Sequence, residues 1–159
     1  LEKRICPELI LEIFEKLKIE NIDLKIKLAG KGPLMEYFQH EISRRGLNNL
    51  ILLGYVSDKK LISLYQKCFF TIVTACESEG FGLPIIDSYL FNKPVLASNV
   101  CAIPEVIMHT KYLVDNDASL FLEKIKLLLS NDLERNYNTF YMKNFSNSIY
   151  ETKMRDFYA

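Results

Sequence analysis

Apolar positions along this chain recur in two alternating rhythms, one of period near 3.6 residues and one of period two. Leu9, Ile10, Ile13, Phe14 and Leu17 share one helical face, so 7–18 is predicted as a helix, with Pro7 suited to its first turn. Apolar and lysine positions then alternate over 24–29, which predicts a strand closed by Gly-Lys-Gly-Pro at 30–33. Residues 34–45 read as a helix stopped at Gly46, and 50–53 as a short buried strand ending at Gly54. Ser57 and Asp58 cap a predicted helix over 59–67. A strand is predicted over 69–74, then a glycine-rich turn, then a helix from 84 to 91. Asn92 tolerates a left-handed cap, and Pro94 follows it. A strand is predicted over 95–97, a short helix opened by Pro104, a last strand over 111–114 and a helix over 118–129. The rest, to Ala159, is predicted helical, with aromatic residues spaced for docking.

Strands that alternate with helices predict an α/β domain: a Rossmann-like parallel sheet with helices on both faces. Such sheets bind ligands beyond the carboxyl ends of their strands. Gly30, Gly54 and Gly80 each follow a predicted strand, so the glycines gather at that edge.

The most informative stretch is 77–105. A strand runs into a carboxylate, a glycine-rich turn and a helix start. Free N–H groups and the helix dipole make such an end a ready phosphate site. Phe81, Gly82 and Leu83 can present N–H groups to a diphosphate, and Gly80 and Gly82 let the backbone come close. Glu79 and Asp87 cannot share that phosphate, so they are expected to hold hydroxyls. Phosphate plus hydroxyls means a nucleotide or a nucleotide sugar. With Pro84 as the first helical residue, Asp87 would sit in the first turn. The plainer alternatives are a dipole partner at Asp87, contributing about 0.3–1 kcal/mol, and a solvated loop charge at Glu79.

Composition narrows the field. One domain fits 159 residues, and 49% of them are hydrophobic, enough for a sizeable core. Twenty basic and twenty acidic residues cancel, so no broad basic field points to nucleic acid. Cys6, Cys68, Cys76 and Cys101 are far apart with no Cys-x-x-Cys pair, and are expected to be buried, reduced thiols. His40 and His109 read as surface residues. The start, Leu-Glu-Lys-Arg, leads into an amphipathic pattern rather than a signal peptide. No apolar run is long enough to span a membrane.

Several motifs together carry a family resemblance. They are Ala-Gly-Lys-Gly-Pro at 29–33, Gly-Tyr-Val-Ser-Asp at 54–58 with Leu61 and Tyr65, and Ser-Glu-Gly-Phe-Gly-Leu-Pro at 78–84. Lys-Pro-Val at 93–95 and Pro104-Glu105 follow in order. Over nearly its whole length the chain resembles the C-terminal, donor-binding domain of a GT-B glycosyltransferase, most similar to glycosyltransferase family 4. The resemblance implies half of a GT-B fold. It implies a retaining transfer of a sugar from a UDP- or GDP-linked donor to a hydroxyl acceptor, in polysaccharide, capsule or lipopolysaccharide synthesis. Glu79 would bond donor-sugar hydroxyls, and Asp87, where the family usually has Glu, the ribose hydroxyls. Gly30 and Lys31 would lie in the diphosphate and base region, and Tyr55 and Val56 along the nucleobase wall. Similar enzymes use no divalent metal and no cofactor beyond the donor, and no Asp-x-Asp metal motif is expected. The parent protein would work in the cytoplasm, with room for peripheral attachment at the inner face of the membrane.

The chain also departs from the family pattern. The family domain begins with a strand ending in Gly-Arg and a loop bearing Lys; this chain begins after that strand. Loop order matches the Lys to Lys3, the following helix matches it to Ile5, and Arg4 is a candidate substitute. Cys101-Ala102 stands where Gly-Gly is common, which narrows a loop near the donor sugar. GT-B enzymes need an N-terminal acceptor-binding domain or partner chain, so residues 1–159 alone are expected to bind donor and transfer little. Two alternatives stay open, a non-catalytic nucleotide-sugar-binding module and a sugar-nucleotide epimerase of the same architecture.

Overall fold

The computed structural model describes residues 1–76, 81–130 and 136–158. In chain order the elements are α1 (Pro7–Ile19), β1 (Ile26–Ala29), α2 (Met35–Arg45), β2 (Leu50–Gly54), α3 (Asp58–Lys67) and β3 (Thr71–Val73). They continue with α4 (Leu83–Leu90), β4 (Val95–Ser98), α5 (Ile103–Val106), β5 (Leu113–Val114), α6 (Ala118–Ser130), α7 (Tyr137–Asn144) and α8 (Asn147–Tyr158).

All strand pairings are parallel. Ile26 lies opposite Leu50 and Leu28 opposite Leu52; Ile72 lies opposite Leu96, and Ala97 opposite Leu113. Val95, Leu96, Ala97 and Ser98 are all buried, with α4 and α6 packed on their strand. A strand buried at successive positions has both faces covered, so the Rossmann-like expectation holds. Among the described residues, however, the strands fall into two sheets, β1-β2 and β3-β4-β5, and β1 and β3 each have one strand neighbour.

Element ends moved for local reasons. Leu24 donates its N–H to Ile22 in a turn, so β1 starts two residues later than the alternation suggests. A 3-10 turn at Thr110–Tyr112 takes up half of the predicted last strand. Asn92 adopts the expected left-handed conformation, at φ 58°.

Helix α1 anchors the core through Leu11, Ile13, Phe14 and Leu17, packing on α6 and α2. Full burial of each such side chain contributes about 1.5–3 kcal/mol. A charged cluster ties α1 to α2. Arg44 and Arg45 donate to Glu41 at 2.6 and 2.8 Å, and Arg45 also reaches Glu8 at 3.0 Å. These donors hold the Glu41 carboxyl down to about 2.

The tail docks as its aromatic spacing predicts. Tyr137 is buried and stacked on Tyr89 with ring centroids 5.5 Å apart, and Phe140 meets Tyr89 edge-on. Both therefore dock on α4 within this domain, while Tyr150 stays exposed. His109 is partly buried against Tyr112 and Tyr137, unlike the surface position expected of it; His40 is exposed.

The cysteines give a correction. Cys6 and Cys76 form a disulfide, Cα atoms 5.4 Å apart, while Cys68 and Cys101 are free. Sequence spacing hid this pair, because folding brings the start of α1 to the end of β3 across 70 residues. Among the described residues, no helix is long and apolar enough to cross a membrane.

Candidate functional site

Parallel pairing sends the carboxyl ends of β1 and β2 to one edge of their sheet, and those of β3, β4 and β5 to one edge of theirs. Gly30 donates its N–H to Gly54 at 2.8 Å, drawing the first two loops together. Lys31 then reaches over Tyr55, its ammonium 4.9 Å from the ring centroid. Tyr55 is 70% exposed and Val56 partly buried, so the ring has an open face while its neighbour packs. A cation held over an exposed ring suits a flat ligand such as a base.

The segment before α1 bridges this region and β3. The Leu1 amino group donates to the Lys31 carbonyl, and Leu34 N–H donates to Leu1 at 3.2 Å. Gly32 is needed for that approach, because a Cβ there would run into the Leu1 backbone. Further along, Cys76 N–H donates to Arg4 at 2.8 Å, and Thr74 Oγ1 donates to Ile5 at 2.6 Å. Lys3 and Arg4 are thereby carried to the end of β3, where the acidic glycine loop departs. Lys3 is exposed, and Arg4 Nε pairs with Glu2 at 3.2 Å.

A polar node fixes the same end of β3. Ala75 N–H donates to Ser98 Oγ at 3.0 Å, Ser98 Oγ donates to Asn116 Oδ1 at 2.6 Å, and Asn116 Nδ2 donates to the Ala75 carbonyl at 2.8 Å. Ser98 is fully buried, and the node joins the ends of β3 and β4 to the residues after β5. The sequence carried no signal for it beyond a Ser ending one strand and an Asn just past another.

Helix α4 starts at Leu83, one residue earlier than predicted, with Pro84 second. Gly82 precedes it at φ 71°, the left-handed region that favours glycine. Among the described residues, the N–H groups of Phe81, Gly82 and Leu83 donate to no carbonyl. Phe81 meets Phe145 edge-on, and Leu83 is exposed. The earlier start moves Asp87 past the first turn, and no acidic residue lies in that turn. Asp87 still shares a helix face with Leu83 and Pro84, three and four residues back. It is half-buried, and burial pushes its carboxyl above the usual range. Tyr65 of α3 feels its charge; burial, then Asp87, pushes that phenol up. Tyr65 also stacks on Phe91 at 5.7 Å. A carboxylate whose pKa is raised by burial is one mark of functional sites.

Glu79 and Gly80 lie outside the described residues. The structure brings Lys31 and Tyr55 together, sets Gly30 beside Gly54 with Val56 just beyond, holds Lys3 near the end of β3, and places Phe81, Gly82, Leu83 and Asp87 at and along the start of α4.

The expectation of no Asp-x-Asp motif needs correction, since Asp115 and Asp117 have that spacing. Their carboxylates are engaged within the protein. Asp115 accepts from Asn99 Nδ2 at 3.1 Å, and Asp117 accepts from Ser119 and Leu120 N–H at 2.7 and 3.0 Å. Those N–H groups lower the Asp117 carboxyl, and the pair acts as a turn and helix cap. Among the described residues no group of three potential metal ligands occurs.

Comparison with known proteins fits this geometry. The family model described as "Glycosyl transferases group 1" matches residues 1–144. An uncharacterized glycosyltransferase of Methanocaldococcus jannaschii is 31% identical over 117 residues, covering 72% of this chain and 33% of that protein. O-antigen chain mannosyltransferase B of Escherichia coli is 38% identical over 88 residues, covering 55% of this chain and 23% of that protein. The fold is similar to that of Anabaena HepE, solved in complex with UDP, with a TM-score of 0.82 at 18% identity. That likeness covers 98% of this chain and 45% of the other. The chain thus spans about a third of the archaeal relative's length and under half of the Anabaena chain's.

Proposed function

The chain belongs to the glycosyl transferases group 1 family, and on that premise we propose that it is the donor-binding half of a retaining, nucleotide-sugar-dependent glycosyltransferase. The observation that carries this reading is a set of three features that follow the carboxyl ends of parallel strands. These are the α4 start with its N–H groups, the half-buried Asp87, and the exposed Tyr55 ring under Lys31. They match the three parts of a nucleotide: diphosphate, ribose hydroxyls and base.

Each part has a distinct physical task. The α4 N-terminus and the Lys3–Arg4 segment stabilise negative charge as it develops on the leaving diphosphate. Asp87 accepts two ribose hydroxyls, one on each oxygen of its ionised carboxylate. Glu79 holds hydroxyls of the donor sugar and so orients the anomeric carbon. The acceptor hydroxyl loses its proton to the donor phosphate, with no protein nucleophile. The acceptor itself is held by a second domain or partner chain, and a strand lying between β1 and β3 completes the sheet; the split sheet supports this. Names among the relatives favour O-antigen or related polysaccharide assembly, and we place that work in the cytoplasm, with attachment at the inner face of a membrane as part of the proposal.

The test is a titration with UDP, GDP, ADP and CMP, free and as sugar conjugates, followed by backbone amide shifts. Saturable shifts at 81–83 and Asp87, lost in Asp87→Ala, are the expected result and name the base. A folded chain that shows no shifts at millimolar ligand overturns the reading.

A further inference from the structure

Three of the four cysteines meet at the edge that holds the candidate site. Cys6 and Cys76 are bonded, and the exposed free thiol of Cys101 donates to the Cys76 carbonyl at 3.6 Å. The bond joins the two segments that frame the site, the basic stretch ending at Cys6 and the end of β3 that leads into 77–80. Cys101 comes from a third segment, the loop after β4, where it adopts φ 53°. A non-glycine residue seldom takes that conformation, and here it directs a nucleophile toward Cys76. Access and a neighbouring disulfide are what exchange requires.

We propose that Cys6, Cys76 and Cys101 form a thiol–disulfide exchange switch that sets which segment the end of β3 is tied to. Its effect on binding rests on the donor-site reading above. The Cys101 thiolate attacks Cys76 Sγ, the Cys76–Cys101 bond forms, and the Cys6–Cys76 bond breaks. Cys6 leaves as a thiolate and takes up one proton, the equal of the one that Cys101 released. The bond count is unchanged, so no oxidant or reductant is consumed. Before exchange, Cys76 at the end of β3 is fastened to the segment bearing Lys3 and Arg4, the state that binds a nucleoside diphosphate. After exchange, Cys76 is fastened to the loop after β4, and the basic segment is held by hydrogen bonds alone.

The test maps disulfides and binding on the same samples. The chain is incubated near the ordinary thiol pKa of about 8.5, acid-quenched, and mapped by non-reducing peptide mass spectrometry. Wild type is expected to give both Cys6–Cys76 and Cys76–Cys101 linkages, and Cys101→Ser only the first. Wild type with a single linkage, or with none, overturns the switch. Calorimetry with UDP and with GDP then compares Cys101→Ser, trapped in the first state, with Cys6→Ser, trapped in the second. Loss of preorganisation predicts about tenfold weaker binding by Cys6→Ser. Equal affinities, with circular dichroism showing both variants folded, overturn the coupling. If neither variant nor wild type binds either nucleotide, the donor-site reading fails and takes the coupling with it. The mapped bonds still decide the exchange.

Discussion

The ammonium of Lys31 lies 4.9 Å from the centre of the Tyr55 ring, across the mouth of two neighbouring strand loops. Exposed pairs of this kind contribute about 0.5–1 kcal/mol, too little to explain why so large a ring is held in the open. A ligand face explains it better. Tyr55→Ala is expected to weaken nucleotide binding by about 1–3 kcal/mol, the range of one base-stacking contact. Stability should hardly change. Calorimetry with UDP and GDP, beside a denaturation curve, checks both halves, and a large stability loss at unchanged affinity would contradict the role.

Asp87 leads to a pH dependence of unusual sign. Its folded-state pKa is raised by burial, so the folded chain holds a proton that the unfolded chain has released. Stability from this group is therefore present at low pH and is lost as pH rises from about 3.9, the unfolded value, through the raised folded value. Asp87→Asn should remove that portion of the loss and, by losing one acceptor oxygen, weaken nucleotide binding by about tenfold. Urea titrations across the acid range, paired with nucleotide calorimetry at neutral pH, read the two effects separately.

Glu41 behaves in the opposite way. Its folded pKa is depressed to about 2 by Arg44 and Arg45, so its contribution is present above the unfolded value and lost as pH falls toward 2. Glu41→Gln should flatten the acid limb of the stability curve and leave nucleotide affinity unchanged. A variant as acid-sensitive as wild type would show that the α1–α2 cluster does not govern this limb.

Gly82 stands at φ 71° before α4, and an added Cβ would come 2.9 Å from Ile85 Cδ1. The left-handed conformation alone costs a side-chain-bearing residue about 1–2 kcal/mol. Gly82→Ala should lose roughly that much stability and shift the amides of 81–83, lowering affinity for any diphosphate. Amide spectra and thermal melts measure the two losses.

Ser98 is the hub between Ala75 and Asn116. Removing its hydroxyl leaves the Ala75 N–H unpaired in a buried setting, a cost of about 1–3 kcal/mol. Ser98→Ala is expected to destabilise by that amount, read from chemical denaturation, and to weaken protection of the Ala75 and Cys76 amides in hydrogen exchange.

Much of this architecture is written locally. Helix α1 follows from five apolar residues on one face, and β1 from an alternation of lysine with aliphatic residues. The turn at Gly82 was legible because a chain entering a helix in the left-handed conformation favours glycine there. What stayed hidden depends on distant partners. The Cys6–Cys76 bond, the Ser98 node and the approach of Tyr65 to Asp87 all join segments whose proximity exists only after folding. Tyr137 illustrates the same limit: its spacing predicted docking, but not that Tyr89 would be the surface it docks on.

The division between β1 and β3 has a consequence for handling the protein. Each strand offers one rim of backbone donors and acceptors to whatever extended polypeptide comes near. Parallel rims flanked by aliphatic side chains recruit indiscriminately, from a neighbouring copy as readily as from a proper companion. Preparations should therefore cluster as concentration rises, and a short aliphatic peptide added in excess should disperse them.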